Sequence, residues 1–231
     1  MWRLRRSALR SAAAFVLVAL ALAHVAAAQQ RGTHPISGRR FAGVMGYQGA
    51  DWLDREERDI EEAPDRAIDA LDLQPGSTVA DIGAGSGYMT VRLARRVGET
   101  GRVYAEDIQP QMIDLLKERL QREKVANVIP VLGTYDDPKL PPGAIDLMLL
   151  VDVYHEFSDP VKMLAGMRAA LKSGGRLVLL EYRKEDPSIP ILLEHKMTVA
   201  EAKMEVEAAG FSLTKVDERL PRQHILIFTK P

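Results

Sequence analysis

The stretch Val79-Ala80-Asp81-Ile82-Gly83-Ala84-Gly85-Ser86-Gly87 decides the fold of this 231-residue chain. It reads as a short apolar strand, Ser77 to Ile82, running directly into a glycine turn. Tyr88 to Val97 follows as a helix with Val91, Leu93 and Ala94 on its inner side. Glycines in such a turn allow dihedrals that other residues resist and let backbone approach a ligand closely. Outward from this turn the alternation of strand and helix repeats. Arg102 to Ala105 reads as a second strand, Val128 to Leu132 as a third and Ile145 to Val151 as a fourth. The fourth is almost continuously apolar, as a strand covered on both faces should be. Pro110 opens a helix whose apolar face is Met112, Ile113, Leu116 and Leu120. Leu164, Met167 and Leu171 mark another, with Lys172 and Gly174-Gly175 in C-cap positions. Arg176 to Tyr182 is a fifth strand. Thr198 and Glu201 form a capping box for a helix with Val199, Ala202, Val206 and Ala209 inside. Phe211 to Val216 and His224 to Thr229 are placed to pair as an antiparallel hairpin. The alternation predicts a parallel α/β sheet with helices on both faces.

Composition narrows the function classes. With 31 Lys and Arg against 32 Asp and Glu, and 46% hydrophobic residues, the chain is neither a disordered acidic tail nor a basic nucleic-acid binder. The absence of cysteine excludes disulfides, thiolate metal sites and a cysteine nucleophile. The spacing of His, Asp and Glu suggests no metal site. Residues 1–28 differ in kind from the rest. Arg3, Arg5, Arg6 and Arg10 precede the apolar run Ala12 to Leu22, and Ala26-Ala27-Ala28 precedes Gln29. That is the layout of a secretory signal cut after Ala28, which predicts a periplasmic or secreted protein with no stable membrane insertion after cleavage. An uncut anchor is the competing reading, although the run is short against the ~20 residues a spanning helix needs. Arg5-Arg6 also permits twin-arginine export. Removing these arginines leaves a mildly acidic chain, which disfavours nucleic acid as a partner. Residues 29–60 are polar and irregular and are expected to form a lid or leader. The acidic stretch Glu56 to Asp65 reads as a solvated helix face. Residues 61–231 form the main domain.

In an open parallel sheet, ligands bind beyond the carboxyl ends of the strands, where strand order reverses. Asp107, just past the second strand, can accept both hydroxyl hydrogens of a ribose. A dinucleotide site would need glycine at position 88, where Tyr88 stands. Asp81, near the strand tip, would repel a pyrophosphate but suits a cationic amino group. A ligand with a ribose and a positive charge is implied, and S-adenosylmethionine fits.

At these residues the chain resembles the class I S-adenosylmethionine-dependent methyltransferases, over roughly residues 60–231. Asp81 to Gly87 is similar to their first motif, and Val103-Tyr104-Ala105-Glu106-Asp107 to their second. The resemblance implies a Rossmann-like, doubly wound, mostly parallel seven-stranded sheet with an antiparallel C-terminal strand. It implies cofactor contacts from Asp81, Gly83, Ala84, Gly85, Gly87, Asp107, Ile108 and Asp152, with Asp136 and Asp137 near the adenine and Glu106 a mere neighbour. More narrowly, the chain is similar to uncharacterised exported bacterial methyltransferase-like proteins, through Trp52 to Arg58, Asp136 to Pro141, Asp152 to Phe157 and His195 to Thr198.

Asp152-Val153-Tyr154-His155-Glu156-Phe157 follows the fourth strand on the same sheet edge as the glycine turn. His155 is the candidate base for an acceptor amine or hydroxyl, since histidine changes charge near neutral pH. Asp152 is expected to orient substrate and Tyr154 to supply a wall, with Tyr182 a further pocket residue. His195 reads as part of a loop entering the capped helix, and His34 and His224 have no evident partner. Lacking cysteine and the Asn/Asp-Pro-Pro-aromatic motif of nucleic-acid amine methylases, the chain points to a small-molecule acceptor with an oxygen or nitrogen nucleophile. A protein side chain is a less favoured acceptor. Export stands in tension with a cofactor made in the cytosol. A nucleoside-binding module without turnover, and an atypical NAD-binding oxidoreductase, are therefore the alternatives.

Overall fold

The computed structural model describes residues 32–231; the expected signal segment, residues 1–28, lies outside them. Eight strands form one sheet: β1 (Thr78–Ile82), β2 (Arg102–Asp107), β3 (Val128–Leu132), β4 (Ile145–Val151), β5 (Leu171–Arg183), β6 (Lys196–Met197), β7 (Ser212–Asp217) and β8 (Gln223–Thr229). Seven lie in the order β3-β2-β1-β4-β5-β8-β7, and the two-residue β6 pairs with β5 beside this path. β1 is parallel to both β2 and β4, so strand order reverses there. Only β8 runs against its neighbours β5 and β7. The seven-stranded, mostly parallel sheet expected from the sequence is present, with one short strand added.

The helices are α1 (Ala50–Leu53), α2 (Arg58–Glu61), α3 (Pro64–Ala70), α4 (Tyr88–Val97), α5 (Pro110–Arg122), α6 (Pro160–Ala170) and α7 (Val199–Ala208). Alternation along the strands divides the core. Met148 and Leu150 of β4 face one side of the sheet, with Met163, Met167, Ala202 and Val206 of α6 and α7. Leu147 and Leu149 face the other, with Ile68, Leu93 and Val97 of α3 and α4. Ile113, Leu116 and Leu120 of α5 cover β2 through Ala105. The Thr198–Glu201 capping box opens α7 as the sequence predicts.

One boundary differs from expectation. Helix α6 ends at Ala170, and Leu171 is already extended and paired with Ile145. Lys172 and Gly174-Gly175 therefore belong to the approach to β5 rather than to a helix cap. Gly174 (φ +73) donates to Lys230 O, and Lys230 N–H returns to Gly175 O. Two paired ends compete better here than a capped turn.

Residues 33–62 pack across the carboxyl edge of the sheet, held by an ion cluster that the sequence does not advertise. Glu205 of α7 is fully buried and takes Arg39 Nε (3.0 Å) and Nη2 (2.9 Å), while Ser37 Oγ donates to it at 2.5 Å. His34 Nε2 lies 3.4 Å from the same carboxylate. Arg39 Nη1 and Ala42 N–H both donate to His155 O, each at 3.1 Å. The expectation that His34 lacks a partner is corrected by this cluster. Removing one partner of a buried ion pair strands the other's charge. Glu205→Ala should therefore cost about 3–5 kcal/mol in urea unfolding, and Arg39→Met with Glu205→Met should recover part of that loss.

Candidate active site

The carboxyl ends of β1, β2 and β4 open into a cavity of about 520 Å³, within the range of sites that hold small ligands. Its floor is the turn Gly83-Ala84-Gly85-Ser86, and its cover includes Gly43, Val44, Met45, Trp52 and Leu53. Two features favour glycine at position 85. Its φ is +54°, and a Cβ would stand 2.6 Å from Leu53 Cδ1, so the cover closes directly on the turn. Further hydrogen bonds fasten the cover, Gln109 Nε2 donating to Met45 O (2.9 Å) and Ser86 Oγ to Asp54 Oδ1 (2.9 Å).

Carboxylates crowd the cavity wall. Asp107 accepts from Gly85 N–H (3.0 Å) and Gln109 N–H (2.8 Å), which fixes the turn against the end of β2. Burial still pushes it above its ordinary value, against the pull of those amides. Glu106 lines the cavity too, fully buried, and its Oε1 has no hydrogen-bond partner. Burial, then the charge of Asp107, pushes it up to about 8. Asp81 accepts from Thr90 Oγ1 at 2.6 Å, and burial raises it to about 7. Asp152 turns the chain out of β4 at φ +54°, held by its N–H on Leu180 O (2.8 Å) and by Gln223 Nε2 on its Oδ2 (2.6 Å). Its Oδ1 is buried without a partner. Aspartate tolerates this left-handed region better than most side chains.

Facing these acids, Arg55 and Arg58 are already committed. Arg58 Nε donates to Glu62 Oε2 (2.7 Å), Arg55 Nη2 to Glu62 Oε1 (2.9 Å), and Tyr182 Oη to the same Oε1 (2.8 Å). Arg58 and Glu62 are buried cavity residues, so the stretch from Glu56 to Asp65 is not merely the solvated face expected of it.

A histidine cluster occupies the remaining side. After Asp152, a 3-10 turn over Tyr154–Glu156 sends Tyr154 inward and leaves His155 and Glu156 on the cavity. His155 Nδ1 lies 2.5 Å from Glu181 Oε2 on β5, and its Nε2 lies 3.1 Å from His195 Nδ1. Burial opposes protonation of His155, but the adjacent Glu181 carboxylate outweighs it and raises the pKa. Both ring nitrogens are thus engaged, and His155 meets an acceptor only alongside His195. His195 is a cavity residue, not the plain loop residue expected, because β6 pairs with β5 and carries it across.

Of the predicted contacts, Asp81, Gly83, Ala84, Gly85, Asp107, Ile108, Asp152, His155 and Tyr182 line the one cavity. Four do not. Tyr154 is fully buried in the core with Met163 and Leu164, its Oη 3.4 Å from His34 Nε2. Gly87 (φ +84) serves packing, since a Cβ would stand 2.5 Å from Leu116 Cδ1. Asp136 and Asp137 sit in an exposed turn, tied to Thr134, Lys162 and Lys139, and Thr134 and Tyr135 line the cavity instead. His224 is not solitary either, lying 2.6 Å from Glu218 and 3.0 Å from Glu185. One ligand atom each from His155, Glu156 and His195 fall within 4.8 Å of one another, a juxtaposition that the spacing along the sequence does not suggest.

Residues 73–219 match the family model of a methyltransferase domain. The chain belongs to the methyltransferase domain family. This methyltransferase is 34% identical over 118 residues to the ubiquinone/menaquinone biosynthesis C-methyltransferase UbiE of an Enterobacter species, covering 51% of this chain and 47% of that protein. It therefore spans about half the length of the curated relatives it matches. A crystal structure of an S-adenosylmethionine-dependent methyltransferase from Aquifex aeolicus superposes with a TM-score of 0.75 at 25% identity, over 80% of this chain and 98% of that one. The [4+2]-cyclase SpnF, at 16% identity and a TM-score of 0.62 over 72% and 80% of the two chains, shares the fold alone.

The buried acids make a pH prediction. Glu106 and Asp81 hold protons in the folded protein that the unfolded chain releases in the ordinary carboxylate range. Their contribution is full below that range and is lost as pH rises through about 7 to 8. Glu106 faces Asp107 on its own strand, Asp81 and the Gly83 N–H on β1, and Asp137 beyond β3. Urea unfolding without ligand should show wild type losing about 3 kcal/mol more than Glu106→Gln between about pH 5.5 and about pH 8.5. Equal losses would remove Glu106 from the account.

Proposed function

We propose that the protein transfers a methyl group from S-adenosylmethionine to an oxygen or nitrogen of a small molecule enclosed in this cavity. The observation that carries the reading is that one cavity joins the glycine turn, the Glu106–Asp107 carboxylates and the His155–His195 pair. The residues fit the cofactor on structural grounds. Glu106 Oε1 and Asp152 Oδ1 are buried without partners, and a cation beside these acids would draw them into their charged, accepting form. Glu106 and Asp107 would hold the ribose, Gly83 to Gly85 the close approach of backbone, and Asp81 and Asp152 the cationic end. Bound there, S-adenosylmethionine supplies a methyl group on a positively charged sulfur, open to in-line attack.

The chain's own task is then positioning and exclusion of water. Val44, Met45, Trp52 and Leu53 lie over the turn, which supports a lid role for the segment around residues 43–58. The His155–His195 pair, backed by Glu181, receives the polar atom of the acceptor. Carbon as the acceptor atom is the second reading, favoured by the match to relatives named as C-methyltransferases. The leader over residues 1–28 is the ground for placing the mature protein in the periplasm or outside the cell.

Calorimetry with S-adenosylmethionine, its demethylated product and NADH tests the cofactor. Loss of a hydrogen bond to a charged group costs about 1.5–3 kcal/mol, so Asp107→Ala and Glu106→Gln should each weaken methyl-donor binding roughly ten- to hundredfold. His195→Ala should bind the donor normally yet form methylated product at least about a hundredfold more slowly. Affinity with no product from any acceptor would make the protein a binding module, and NADH binding alone would make it an oxidoreductase. Carbon-13 spectra of the product distinguish oxygen, nitrogen and carbon methylation.

A further inference from the structure

The histidine cluster holds more than a polar contact for an acceptor requires. His155 Nε2 and His195 Nδ1 face one another at 3.1 Å, their rings nearly perpendicular at 79°. Glu156 Oε1 lies 3.9 Å from the same His195 nitrogen. Two imidazole nitrogens this close share either a proton or a metal ion. An ion about 2.0–2.1 Å from each nitrogen would subtend about 100° at that separation, between octahedral and tetrahedral angles.

We propose that His155 Nε2, His195 Nδ1 and the Glu156 carboxylate bind one divalent transition-metal ion on the wall of the cavity, with its remaining positions open to the acceptor. A second feature points to a ligand independently of the cluster itself. Glu181, completely buried on β5, sets its Oε2 2.5 Å from His155 Nδ1 and leaves Oε1 without a partner. Metal-ligating histidines usually donate their other N–H to such a carboxylate, which fixes the tautomer and raises ligand basicity. The Nε2 lone pair of His155 is thereby aimed away from β5 toward His195. Two nitrogens and one carboxylate oxygen suit Zn²⁺, Co²⁺, Fe²⁺ or Mn²⁺ better than Mg²⁺ or Ca²⁺, which take oxygen ligands. Side-chain exposures of 14% at Glu156 and 28% at His195 leave one side of the trio uncovered, as an ion that also binds substrate needs. Its role rests on the methyl-transfer reading. An acceptor hydroxyl bound to the ion would be held in the cavity with its proton made more acidic.

The test uses Co²⁺ as the probe, with chelator-treated protein purified without a histidine tag. Because the chain has no cysteine, thiolates cannot contribute to its visible absorption. Wild type is expected to bind one Co²⁺ with d–d absorption, displaced by Zn²⁺. His195→Ala, at a partly exposed position that should not disturb folding, and Glu156→Gln should each weaken binding by at least about a hundredfold. Glu181→Gln should weaken it about 10–100-fold while circular dichroism reports the fold. No Co²⁺ absorption in wild type, or equal binding by His195→Ala, would overturn the ion site. Calorimetry of the demethylated cofactor on the same samples separates the two readings. Retained nucleoside binding without Co²⁺ sinks only the ion, whereas Co²⁺ binding without nucleoside binding sinks only the methyl-transfer reading.

Discussion

The carboxyl edge of the sheet buries more carboxylate than the surrounding cations can neutralise. Asp81, Glu106, Asp107 and Asp152 all reach the cavity from strand ends, and each is pushed toward its protonated form chiefly by burial. Arg58 lies deep enough to pull Asp81 and Asp152 downward, but its Nε and Nη1 are spent on Glu62 and the carbonyl of Leu53, and burial outweighs its charge. Such an arrangement costs stability without ligand, since burying an unpaired charge is expensive and protonation only moderates the expense. A cation bound in the cavity reverses the sign. The acids then ionise against it, and the same burial that was unfavourable strengthens the attraction.

The cover inherits its geometry from the same edge. Leu53 sits where a side chain on Gly85 would be, so the cover and the turn occupy complementary shapes. Its other end is tied to α7 through Arg39 and Glu205 and to the histidine cluster through the carbonyl of His155. The backbone carbonyl that receives the lid thus belongs to the residue whose ring pairs with Glu181. One residue therefore anchors the cover through its backbone and the histidine cluster through its ring.

What the sequence makes legible is whatever depends on local pattern. The run from Ile145 to Val151 announces a strand covered on both faces, and Thr198 with Glu201 announces a helix start. Asp81 to Gly87 places a ligand turn because strand, glycines and helix are contiguous. Glu205 shows the limit. On a helix wheel it looks like a solvated charge beside Val206, and its burial depends on Arg39, 166 residues earlier. Asp136 and Asp137 fail for a related reason. Local hydrogen bonds with Thr134 and Lys139 hold them outward, a competition between neighbours that motif position does not reveal. Lys172 and Gly174-Gly175 resemble a cap, yet pairing with Ile145 and Lys230 extends them.

The division between cofactor end and acceptor end has a physical basis. Moving a methyl group from a charged sulfur asks little covalent chemistry of a protein, so binding the donor can be done by one contiguous turn and the next strand end. That part of the site tolerates being written locally. Choosing an acceptor requires groups converging from directions no single segment supplies. On the reading proposed above they come from the turn after β4, from β5, and from the segment beside β6, with His155 and His195 40 positions apart. The fold shared with a cyclase fixes only the sheet edge on which such groups gather. That His195 comes within reach of His155 follows from a local event no motif announces, the pairing of the two-residue β6 with β5.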